Sequence, residues 1–114
     1  MGYIKHEAII VTGFNLAHVR LAQRRAKDLC LPWKNVSSVV HSPINGYYSF
    51  MVAPDGSKMG WEDDRRGDTI RNLLKDWILL AGRGPKPMYL DFVEVRYGGD
   101  DEGARVLHVN GDLG

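Results

Sequence analysis

Ile70, Leu73, Leu74, Trp77, Ile78 and Ala81 recur at i, i+3, i+4 and i+7 without a break. No other feature constrains the fold as tightly. A helix with one apolar stripe gains its stability from packing that stripe, so the rest of the chain must supply a surface for it. Glu62, Asp63, Asp64 and Asp68 suit the positive end of such a helix, and Gly82 supplies a stop. The spacing predicts a helix running to Ala81 with Trp77 in the core.

The surface is offered by segments rich in strand formers. Residues 4–12 contain Ala8-Ile9-Ile10-Val11, a β-branched run bounded by Gly13, which suits a central strand. A helix is predicted over residues 16–31: Asn15 can cap it, Val19, Ala22, Ala26 and Leu29 form its apolar face, and Pro32 ends it. Residues 36–41 alternate weakly, and the turn formers Ser42, Pro43, Asn45 and Gly46 join them to the strand 47–52 as a hairpin. Pro54-Asp55-Gly56-Ser57 is a second turn, after which 58–61 can return as a short strand. Beyond the helix, residues 88–97 form another strand. Residues 105–109 can add an edge strand before an Asn110-Gly111 turn.

The order is β-α-β-β-(β)-α-β, an α+β fold of ferredoxin-like type, with two helices on one face of an antiparallel sheet. One domain is expected over residues 1–99, with 100–114 a flexible or edge-strand tail.

Composition narrows the function classes. Apolar residues at 44% and charged residues at 25% are the proportions of a globular chain, not of a disordered tail or a disulfide scaffold. Cys30, the single cysteine, cannot form an internal disulfide and reads as a buried structural thiol. The longest apolar run, Trp77 to Ala81, is too short to cross a bilayer, and the N-terminus does not read as a signal peptide, so no membrane association and a cytoplasmic location are expected. Residues 1–58 carry seven Lys/Arg against three acids, and residues 59–114 eight against eleven, a polarity too weak to mark a nucleic-acid-binding domain.

Three stretches resemble a group of short bacteriophage-encoded proteins, particularly from phages of actinobacteria: Tyr3-Ile4-Lys5-His6-Glu7-Ala8-Ile9-Ile10-Val11-Thr12, then Asn45-Gly46-Tyr47-Tyr48-Ser49-Phe50, then Pro54-Asp55-Gly56-Ser57-Lys58-Met59-Gly60-Trp61. The similarity extends to Tyr97-Gly98-Gly99-Asp100-Asp101. The resemblance implies a setting, a phage accessory protein in a bacterial cytoplasm, and carries no activity with it.

Catalytic signatures are weak. His6, His18, His41 and His108 show no metal-ligand spacing, so no metal or cofactor is expected. Asp63, Asp64 and Asp68 read as helix-start acids rather than a catalytic pair. No Gly-x-Ser-x-Gly elbow is present, and Pro85 and Pro87 block a helix after the glycines of Gly82-Arg83-Gly84. Gly46-Tyr47-Tyr48-Ser49-Phe50 fails the RNA-recognition pattern, with Asn45 where a basic residue belongs and Tyr48 where a small one does. What stands out is an open sheet face that needs a cover, and amphipathic rings beside polar turns. Ser42, Asn45, Tyr47, Tyr48, Ser57, Lys58 and Trp61 are the candidate ligand-binding residues. The expected protein is a non-catalytic binder and homodimer, possessing counter-defence character through capture of a host protein or a small anionic signalling ligand. The alternatives are a nucleotide hydrolase or transferase, and a single-stranded nucleic-acid-binding module.

Overall fold

The computed structural model describes residues 5–58, 60–98 and 104–110. Ile4, Met59, Gly111 and the rest of the tail, on which parts of the expected strands and turns fall, lie outside the described residues. The elements are β1 (His6–Gly13), α1 (Leu16–Cys30), β2 (Val40–His41), β3 (Tyr48–Val52), α2 (Glu62–Ala81), β4 (Asp91–Tyr97) and β5 (Arg105–Val109). This is an α+β fold: five strands in the order β2-β3-β1-β4-β5, antiparallel throughout, with two helices. The arrangement departs from the expected one in the link between β3 and α2. Gly60 and Trp61 lead into α2 as a turn rather than a strand, with the Trp61 amide donating to the Lys58 carbonyl at 3.1 Å. The edge strand expected over residues 105–109 is present as β5, paired with β4.

The central position of β1 follows from its sequence, since Ile9 pairs with both Val52 and Glu94, and Val11 with both Phe50 and Phe92. Glu7, Ile9, Val11, Phe50, Val52, Phe92 and Glu94 point to one face, and all are buried. Helix α1 lays Val19, Ala22, Ala26 and Cys30 on it. The Asn15 side chain caps this helix, accepting from the amides of Ala17 at 2.9 Å and His18 at 3.3 Å. Cys30 is fully buried.

The expected strand 36–41 is split. Val36 bridges to Val52, and Val40–His41 pairs with Tyr48–Ser49. Between them the Ser37 hydroxyl accepts from the Met51 amide at 2.8 Å. A side-chain oxygen thus replaces a backbone carbonyl in the ladder.

Helix α2 differs in phase from the periodic reading. Its buried residues are Gly67, Ile70, Arg71, Leu74, Lys75 and Ile78, whereas Leu73 is 46% exposed and Trp77 only half-buried. The helix is turned so that two cations face the sheet, because the sheet holds Glu7 and Glu94 there. Gly67 makes that approach feasible: a Cβ at this position would run into the Asp55 carboxylate. Gly82 does end α2, in a right-handed conformation and with its amide directed at the Ile78 and Leu79 carbonyls.

Candidate functional site

The residues nominated from sequence occupy the two ends of β3. At the first end, Asn45 and Gly46 have φ of 64° and 66°. They form the tight hairpin turn between β2 and β3. Ser42 serves the same turn: its hydroxyl donates to the Ile44 carbonyl (2.7 Å) and accepts from the Tyr47 amide (2.9 Å). Tyr48 stacks on His41 with ring centroids 4.7 Å apart and packs against the core, while Tyr47 is exposed. At the other end, Asp55 accepts from both the amide (2.8 Å) and the hydroxyl (2.5 Å) of Ser57. The Lys58 ammonium lies 5.1 Å from the centroid of the exposed Trp61 ring. The five-residue strand β3 separates the two groups. At ~3.3 Å of rise per residue, that is a gap of roughly 13 Å. The structure brings Ser42, Asn45, Tyr47 and Tyr48 together, and Ser57, Lys58 and Trp61 together, but not the two sets with each other.

A second constellation lies between α2 and the sheet, and sequence reasoning missed it. Arg71 is buried and donates to Glu94 (3.0 Å), Glu7 (3.1 Å) and Asp68, with Asp55 3.9 Å away. Lys75 donates to the other oxygen of Glu94 at 2.6 Å, and Arg96 reaches Glu7 at 3.4 Å. The signal was the parity of the strands: Glu7 alternates with Ile9 and Val11, and Glu94 with Phe92, so each acid shares the core-facing side. Burial raises the Glu7 pKa above its ordinary value, against the opposing pull of Arg71 and Arg96. Burial likewise raises the thiol pKa of Cys30.

Glu7, Asp64 and Asp68 hold oxygens within 4.8 Å of one another. At this spacing carboxylates can meet a cation. Each already accepts from the protein: Glu7 and Asp68 from Arg71, and Asp64 from the Gly60 amide at 2.9 Å. The guanidinium fills the role that a metal would have. Three of the four histidines pack against separate rings, His6 on Tyr97, His41 on Tyr48 and His108 on Phe92. Among the described residues, no histidine is hydrogen-bonded to a serine, threonine or cysteine.

The third feature is the other face of the sheet. Paired residues share a face, so the register places Met51, Ile10, Val93 and Val109 in one row across four strands, and Ala8, Val95 and Val106 in the next. The row beyond holds His6 and Tyr97, with ring centroids 5.2 Å apart. On the opposite side, Val40, Ser49, Thr12 and Asp91 close the band, and the Thr12 and Ser49 hydroxyls are bonded at 2.8 Å. Ile10, Val40 and Val106 are exposed. A shallow cavity of about 300 Å³ bordered by Ile10, Val40 and Met51 opens on this face. Both helices pack on the opposite side, so the described residues leave the apolar band without a covering layer. Among the described residues, no helix is long and apolar enough to cross a membrane. No protein-family model, curated protein or solved structure matches the chain.

Proposed function

We propose that the chain is a non-catalytic binding protein whose interface is the open face of the sheet, and that its first partner is a second copy of itself. The row Met51–Ile10–Val93–Val109 carries this reading. A contiguous apolar strip on an uncovered sheet is a surface that association removes from water. The band suits self-pairing. Its one formal charge, Asp91, lies at one end and His6 at the other. A two-fold axis lying between two such sheets, perpendicular to the strands, sets the Asp91 end of one copy over the His6 end of the next, as closed isologous pairing requires. The first six elements follow, in this proposal, the split β-α-β plan of ferredoxin-like folds with β5 added at an edge.

The setting implied by the phage resemblance makes the dimer a cytoplasmic accessory protein with counter-defence character, which captures a host protein. Sedimentation over a range of concentrations tests the interface. The expected species has twice the 12.8 kDa chain mass, and Ile10→Asp or Val93→Asp returns it to the monomer. A monomer at every concentration removes the proposal. Affinity capture from bacteria with the parent chain and with Ile10→Asp then tests the host partner, which the variant is expected to retain only if it binds elsewhere.

A further inference from the structure

At the C-terminal end of α1 a cavity of about 300 Å³ is lined by Lys27, Leu31, Trp33, Lys34 and Val36. Its volume is at the small end for ligand pockets, room for one ring system rather than an extended chain. None of these residues belongs to the buried ion network or to the open sheet face. The indole of Trp33 is half-buried and held against the core, so it is a fixed wall. Arg66 of α2 secures it from outside: its guanidinium lies 5.0 Å from the ring centroid and donates to the Leu31 carbonyl at 2.5 Å.

The charges around this wall are of one sign. Lys27 and Lys34 border the cavity, no carboxylate lines it, and neither lysine takes part in a described ion pair. Lys27 also complements the negative end of α1. Lys34 lies beyond the helix and has no such role. An aromatic wall with apolar neighbours and unneutralised cations at its rim matches a ligand that is planar at one end and anionic at the other.

We infer that this cavity binds a nucleoside phosphate, with the base against Trp33, Leu31 and Val36 and the phosphate between Lys27 and Lys34. The inference gives the binding-protein reading a small-molecule ligand, but on another surface, so loss of dimerisation and loss of nucleotide binding are separate results. Aromatic stacking on a base and hydrogen bonds to a charged group each account for at least a tenfold change in affinity.

The test titrates the purified full chain calorimetrically with adenosine monophosphate, adenosine and inorganic phosphate. The monophosphate is expected to bind at least tenfold more tightly than either part. Trp33→Leu and Lys34→Glu are each expected to weaken it at least tenfold, while Tyr89→Leu, at an exposed ring outside the cavity, leaves it unchanged. Lys34→Glu changes an exposed side chain, so it remains informative if Trp33→Leu fails to fold. Absence of binding by adenosine, guanosine and uridine monophosphates at millimolar concentration overturns the inference, as does equal binding by parent and Lys34→Glu. Tighter binding of a single-stranded oligothymidylate than of every mononucleotide also overturns it, in favour of a nucleic-acid interface.

Discussion

The two faces of the sheet reverse the simplest expectation for a small α+β chain. The face beneath the helices buries Glu7, Glu94, Arg71 and Lys75, while the face with no helix carries Ile10, Met51, Val93, Val95 and Val106. On the covered side the charges persist because they satisfy one another: Arg71 donates to three carboxylates and Lys75 completes Glu94. On the open side nothing within the described chain completes the apolar rows. One face is thus complete within itself, and the other leaves its apolar rows uncovered among the described residues.

The sharpest way to break this comparison is to unbalance the covered face. Arg71→Met leaves Glu7 and Glu94 buried with reduced compensation. The expected cost is about 3–5 kcal/mol by urea denaturation. Gly67→Ala drives a methyl into the Asp55 carboxylate, with Gly82→Ala as the mild control. Its expected cost is about 1–3 kcal/mol, as overpacking gives. The Trp77 ring is only half-buried. Trp77→Ala is therefore expected to cost about 2 kcal/mol, below the roughly 3–5 kcal/mol of a fully buried aromatic. A loss at the upper figure would mean that Trp77 lies in the core, as the periodicity alone suggested.

Glu7 gives a subtler effect with a definite sign. Its folded pKa is raised above the ordinary 4.5, so the stability linked to its protonation is fully present below 4.5 and is lost as pH rises through the folded value. Glu7→Gln removes this component. The variant is expected to be as stable as the parent or more so at neutral pH, and the difference should shrink on acidification toward 4.5. A variant less stable than the parent at neutral pH, with that disadvantage fading on acidification, would show instead that the Arg71 and Arg96 contacts outweigh burial. The smallest effect belongs to the open face, where Ile10 is already 40% exposed. Ile10→Asp is expected to cost the monomer about 1 kcal/mol, from lost strand propensity and partial burial. A large loss in a monomeric sample would make Ile10 a core residue and dissolve the contrast between the faces.

Local rules made several features legible. Asn45-Gly46 is a hairpin turn because both positions adopt positive φ, and Asn15 caps α1 because its side chain reaches the amides of Ala17 and His18. The nominated ligand residues illustrate the opposite case. Ser42 and Asn45 are near Ser57 and Trp61 in sequence, yet a straight strand holds the two sets apart, and their polar groups are largely spent on the turns themselves.

What the sequence determined by itself is the inventory of elements: an apolar run bounded by Gly13 must extend, residues 16–31 must coil with one apolar face, and the helix bearing the stripe from Ile70 to Ala81 must find a surface. These depend on periodicity and on neighbours a few positions away. The phase of α2 belongs to the tertiary structure. Apolar spacing favoured Leu73 and Trp77 as the inward side, but the helix docks where Glu7 and Glu94, from strands at either end of the chain, can be neutralised by Arg71 and Lys75. A buried carboxylate without a partner costs more than a half-exposed leucine gains, and no local pattern records which distant strand will supply it.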